Sequence, residues 1–216
     1  MKIHPFFVSA FVWLAVVMNA GGWERVFDFE KDVENLPPEG MVVETAPDGK
    51  PIVTVQNDPD ASPKSRFLAM RGSPFPGINS LLCLAWFSNV KNGSICARLK
   101  HGGEEKAART AGLVWRYQSL MDTYTLEWDT KKSALALAVL VKGQRKILGK
   151  KRMPLPANQW ATLSVDFHDS NIQCKVDDKP VLNFKDSTLM EAGKVGLLLQ
   201  SDVTMYFDNF RICGDD

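Results

Sequence analysis

The chain has 216 residues, with 26 Lys+Arg against 25 Asp+Glu, a formal net charge of +1, and 45% hydrophobic residues. A chain this close to neutral has no long-range field to gather nucleic acid or an anionic membrane, which argues against both as partners. Its length and apolar content allow a well-buried core of ordinary size.

The first residues read as an export address. Lys2 and His4 make a short positive start, the run from Phe6 to Met18 is apolar apart from Ser9, and small residues follow at Ala20, Gly21 and Gly22. The uninterrupted run from Ala10 to Met18 is far shorter than the ~20 apolar residues of a membrane span. Residues 1–22 are therefore expected to be a cleaved signal peptide. Cleavage after Gly22 puts small Ala20 three positions upstream, where cleavage after Ala20 would put bulky Met18. No cysteine follows the apolar run to carry a lipid anchor. The expected product is a secreted or periplasmic protein of residues 23–216 with no membrane insertion. Losing Lys2 and no acid makes it formally neutral.

From Trp23 onward, short segments of alternating polarity recur between turn residues, and no long amphipathic helix interrupts them. The alternation predicts strands at 24–29, 41–45, 51–56, 67–70, 80–87, 94–99, 111–118, 124–129, 134–141, 145–149, 160–167, 171–176, 180–184, 194–200 and 204–212. Asp48-Gly49, Asn92-Gly93, Lys142-Gly143, Asp177-Asp178 and Ala192-Gly193 supply the turns. The stretches 57–64, 72–77 and 100–110 read as loops, the last holding His101. With no internal repeat or linker, residues 23–216 read as a single all-β sandwich domain. Its core is expected to contain Trp115, Leu126, Trp128, Leu163, Val165, Phe167, Ile172, Val176, Val195, Leu197 and Phe210.

Four cysteines, Cys83, Cys96, Cys174 and Cys213, enter an oxidising space if the chain is exported. Two disulfides in any of three pairings fit the count, and so do four small buried thiols. None has metal-ligand spacing.

The strongest chemical signal is the pair AGLVWRYQ (111–118) and YTLEWD (124–129). Alternation places Leu113, Trp115 and Tyr117 on one face and Val114, Arg116 and Gln118 on the other. Antiparallel pairing keeps the apolar faces together only where paired residue numbers sum to an odd value. A sum of 243 sets Arg116 opposite Glu127, Gln118 opposite Thr125 and Trp115 opposite Trp128. The polar face then offers Arg116, Gln118, Glu127 and Asp129 as candidate ligand-binding residues, donors and acceptors together, as sugar hydroxyls require. The same residues also fit an ordinary solvated face with one surface ion pair.

Catalytic arrangements are weaker. Glu127-Trp128-Asp129 matches the first part of the E-x-D-x-E strand motif of family 16 glycoside hydrolases, but the fifth position is Lys131, so the acid/base carboxylate is missing. Asp166 and His168 in VDFHD share a strand face, which suits a metal or an acid/base pair and equally an exposed strand edge. No GxSxG, HExxH or phosphate-binding glycine loop occurs. No catalytic residue and no metal ligand is assigned. The cations Lys142, Arg145, Lys146, Lys150, Lys151 and Arg152 read as protection of an exposed sheet edge rather than a polyanion patch.

The segments AGLVWRYQ (111–118), PLPANQWATLSVDF (154–167), CKVDDKPVLNF (174–184), EAGKVGLLLQSD (191–202) and YFDNFRI (206–212), with Tyr124, carry a resemblance. The chain is similar to the exported family named for 3-keto-disaccharide hydrolase domains. That resemblance implies a concanavalin A-like jelly roll of two antiparallel sheets, one of them concave, with the concave side as the usual sugar site. The chain departs from the family after Tyr124, where Glu127-Trp128-Asp129 is followed by the apolar ALALAVLV.

Three functions follow as expectations. The first is an exported carbohydrate-binding domain, accessory to glycan recognition or breakdown. The second is a glycoside hydrolase or lyase acting on 3-keto-disaccharides, and the third a non-catalytic interaction protein of the cell envelope. The glycan, a bracing calcium ion and the oligomeric state are left open.

Overall fold

The computed structural model describes residues 22–44, 52–59, 65–72, 80–102, 110–200 and 204–215. The predicted signal segment up to residue 21, the Asp48-Gly49 turn and most of the stretches 57–64, 72–77 and 100–110 lie outside the described residues.

Fifteen strands form where the alternation predicts them, with ends moved by a few residues, and no helix occurs among the described residues. In chain order they are β1 (Gly22–Phe27), β2 (Met41–Glu44), β3 (Ile52–Asn57), β4 (Arg66–Arg71), β5 (Leu81–Ala85), β6 (Gly93–His101), β7 (Thr110–Ser119) and β8 (Asp122–Asp129). They continue as β9 (Ala134–Val141), β10 (Gln144–Arg152), β11 (Ala161–His168), β12 (Asn171–Val176), β13 (Lys179–Lys185), β14 (Lys194–Gln200) and β15 (Thr204–Asp215). One sheet has eight strands in the order β13-β12-β11-β6-β15-β4-β3, with β1 beside the C-terminal part of β15. The other has seven, in the order β10-β9-β8-β7-β14-β5-β2, and every pairing in both is antiparallel.

The two sheets bury their apolar phases against each other, the solution open to strands with one hydrophobic face. Every residue expected in the core is buried, from Trp115 at 0% exposure to Val176 at 8%. Trp115 bridges the sheets, stacked on Tyr124 at 5.5 Å and on Phe167 at 6.0 Å between ring centroids. Lys142-Gly143 and Asp177-Asp178 turn with positive φ at both residues, the geometry that tight hairpins need.

Two expectations change, and the cysteines follow one of the two readings left open. Asn92-Gly93 is no hairpin turn: it lies where the chain crosses from β5 in one sheet to β6 in the other. His101 is not in a loop; β6 runs through it, and its buried ring lies 3.1 Å from the Leu155 carbonyl. All four cysteines are free thiols: Cys83 and Cys174 are buried in the core, and Cys96 and Cys213 are half-buried on the outer face of the eight-stranded sheet.

Candidate functional site

The β7–β8 pairing has the expected odd sum, but its value is 239. Trp115 faces Tyr124, Leu113 faces Leu126 and Gly112 faces Glu127, which corrects the predicted register by four. Half of that difference comes from the tight turn, where Ser119 pairs with Asp122, and half from a bulge. Between the pairs Trp115–Tyr124 and Ser119–Asp122, the three residues Arg116, Tyr117 and Gln118 stand against the single Thr123.

Arg116 carries the strain of that bulge, with φ at 46°. Its side chain is fully buried. Nε donates to the Lys91 carbonyl at 2.9 Å, Nη1 to the Leu189 carbonyl at 2.9 Å, and Nη2 to the Asp169 carbonyl at 2.7 Å. The guanidinium lies 5.7 Å from the Phe167 ring centroid. Burial lowers its pKa, while the nearby Tyr124 and Asp169 oppose that shift. Arg116 therefore clasps three chain segments and does not join Glu127. Gln118 is also elsewhere: it is exposed and donates to the Ala192 carbonyl at 2.6 Å. Within the bulge Tyr117 leaves the face of Trp115, packs with Leu82, Leu84, Val114 and Leu198, and donates a hydrogen bond to Glu44. Burial raises the Tyr117 pKa, and the hydrogen bond to Glu44 adds to the rise.

Glu127 and Asp129 do come together. Both line a cavity of about 300 Å³ on the outer face of the seven-stranded sheet, with Thr110, Ala134, Ala136, Arg145, Lys150 and Gln200 among its other walls. Strand register explains its shape. One row across the sheet runs Glu44, Leu82, Leu198, Gly112, Glu127, Ala136, Lys150, and a parallel row runs Gln200, Thr110, Asp129, Ala134, Arg152. Small residues beside the two acids leave a trough instead of a filled surface. Gly112 has no room for a side chain, since a Cβ would stand 1.8 Å from the Leu126 carbonyl oxygen.

Glu127 is 4% exposed. Thr125 Oγ1 donates to one carboxylate oxygen at 2.7 Å and Arg145 Nη2 to the other at 2.6 Å. Asp129 receives the Lys132 backbone N–H at 2.8 Å and pairs with Lys132 Nζ at 2.9 Å. Burial pushes the Asp129 pKa up, but the bonds and charge of Lys132 outweigh it and hold the carboxyl below its ordinary value. Asp129 thus stays ionised, and both acids keep acceptor capacity beside the bonds they receive, because a carboxylate offers about four lone-pair sites. Lys131 lies past the end of β8 and is exposed.

Arg145, Lys150, Thr125 and Thr110 were not singled out for this site by sequence. The basic run that contains Arg145 and Lys150 does lie on an edge strand, β10, as its edge-protecting composition predicts. Which of its cations reach the trough depends on the bulge between Ile147 and Gly149, which resets the phase.

The other predicted pair, Asp166 and His168, lines an open hollow of about 510 Å³ on the outer face of the eight-stranded sheet. The two groups do not converge. Asp166 pairs with Lys175 at 2.5 Å and His168 with Asp215 at 3.1 Å. No cluster able to hold a metal occurs among the described residues.

The family model described as 3-keto-alpha-glucoside-1,2-lyase-like domain matches residues 19–213, and the chain belongs to that family. No curated protein matches the sequence. Among solved structures it is similar to carbohydrate binding module CBM66 from Bacillus subtilis, with a TM-score of 0.59, 16% identity, and coverage of 78% of this chain and 94% of that one. It is similar to a family 16 endo-glucanase from Bacteroides ovatus, with a TM-score of 0.61, 12% identity, and coverage of 87% and 99%. A Shewanella oneidensis protein of unknown function gives a TM-score of 0.62 at 8% identity, with coverage of 94% and 90%. Likeness at these identities establishes a shared jelly-roll fold, as the resemblance implied.

Proposed function

As a member of that family with a polar trough on one sheet, this chain is, we propose, an exported carbohydrate-binding protein accessory to glycan recognition or breakdown. The saccharide lies across the outer face of the seven-stranded sheet, with hydroxyls donating to Glu127 and Asp129. The observation that carries this reading is the trough itself: the two acids Glu127 and Asp129 flanked by Ala134 and Ala136 in a cavity of about 300 Å³. The match to a family described by its action on glucosides supports a carbohydrate as ligand.

That same description favours a second reading, cleavage of a 3-keto-disaccharide. Against it, Glu127 is held by Thr125 and Arg145, and the position three residues past Trp128 is the exposed cation Lys131. Neither is poised as a general acid.

The test uses residues 23–216 on a glycan array, followed by calorimetry on the strongest hit. Glu127→Gln removes the charge that strengthens its hydrogen bonds, and Ala136→Leu fills the trough. Hydrogen bonds to charged groups are worth about 1.5–3 kcal/mol, so each variant is expected to lose about tenfold or more in affinity. Wild-type affinity in both variants would place the ligand elsewhere. Reducing sugar released from the hit would favour the enzyme, and an array without hits the non-sugar envelope role.

A further inference from the structure

We propose that the saccharide taken by this site is acidic, its uronate carboxylate received by Lys150 and Arg152 at the β10 end of the trough. This rests on the carbohydrate reading above and adds the charge of the ligand.

Within the cavity, both acids already have a cation: Arg145 for Glu127 and Lys132 for Asp129. Lys150 lines the same cavity, Arg152 stands just beyond it opposite the lining residue Ala134, and neither side chain has a hydrogen bond or ion pair among the described residues. Their cross-strand partners explain why. Lys150 faces Ala136 and Arg152 faces Ala134, where an acid would normally stand to neutralise them, and among the described residues β10 is hydrogen-bonded in its sheet to β9 alone.

Two cations two residues apart on one strand face are ~6.6 Å apart at Cα and repel one another. An anion between them removes that repulsion. Protection of an edge does not require this arrangement, because it works with cations on either face. The rest of the basic run is placed differently: Lys146 stands within 4.0 Å of Asp186, and Lys151 is in the opposite phase, facing Leu135. The two unpartnered cations end the rows that pass through Glu127 and Asp129. A saccharide crossing the strands meets acceptors for its hydroxyls first and then a pair of donors, one a guanidinium with the fork that fits a carboxylate.

The experiment presents residues 23–216 to an array of oligouronates beside their methyl esters, which differ from them only in charge. Calorimetry then measures the best acid and its ester on wild type, on Lys150→Gln/Arg152→Gln and on Ala136→Leu. The acid is expected to bind about tenfold or more tighter than its ester, with the advantage shrinking as salt rises and falling to about one in the double variant. Equal binding of acid and ester, or an advantage kept by the double variant, overturns the acidic assignment and leaves the carbohydrate site standing. Acid binding that Ala136→Leu does not weaken also overturns it, since the anion then sits on the β10 edge outside the trough. No binding of acid or ester overturns the acidic assignment, and a general glycan array that is also without hits overturns both readings.

Discussion

Asp208 is 6% exposed on β15, a costly place for a carboxylate. The Asn209 N–H donates to it at 2.7 Å and Arg98 pairs with it at 3.1 Å, while the Arg98 guanidinium also lies 4.8 Å from the Trp160 ring centroid. Burial prevails over these partners and raises the carboxyl from 3.8 to about 6. For an acid whose pKa is raised on folding, protonation favours the fold. Its contribution is fullest below the unfolded value of 3.8 and is lost as pH rises through about 6. Asp208→Asn keeps an acceptor for Asn209 without the charge. We expect it to raise the thermal midpoint at pH 7–8 and to flatten the pH dependence between about 4 and 6. A carboxyl NMR titration of Asp208 centred near 4 would contradict this.

At the scale of the strand, the bulge at Arg116 separates what the sequence made legible from what it concealed. Alternation along β7 and β8 was enough to place Trp115, Leu126 and Trp128 in the core and Glu127 and Asp129 on the other face. It also required an odd register sum. The value of the sum was concealed, because a residue with φ at 46° is ordinarily flagged by glycine or asparagine, and position 116 is arginine. What holds the bulge is distant in sequence: the carbonyls of Lys91, Asp169 and Leu189. Losing the guanidinium strands three acceptors and a support of the bulge, at about 1–3 kcal/mol for each buried unsatisfied group. Arg116→Ala is therefore expected to cost ~3 kcal/mol or more and to lower the thermal midpoint by about 6 °C or more in a chain of this size. Glycan affinity per folded molecule should be unchanged. A variant with normal melting and weakened sugar binding would return Arg116 to the site.

Across the molecule, the architecture was readable because period-two alternation and turn dipeptides are local signals, repeated fifteen times with the same phase logic. The site was readable only in part. Glu127 and Asp129 follow from one strand, whereas Arg145, Lys150 and Thr110 reach them through the β8–β9, β9–β10 and β7–β8 pairings, which sequence did not supply. Faces opposite the core carry the remaining choice. The seven-stranded sheet presents a trough with two acids side by side, and the eight-stranded sheet presents Asp166 and His168 paired off separately with Lys175 and Asp215. Amide NMR on residues 23–216, titrated with the strongest binder from the array, distinguishes the two directly. The account predicts shifts that saturate together at Thr110, Glu127, Asp129, Ala136 and Lys150, with the strands β11–β13 unmoved. Shifts confined to Asp166, Gln173, Asn183 and their neighbours would put the ligand on the opposite sheet and contradict it.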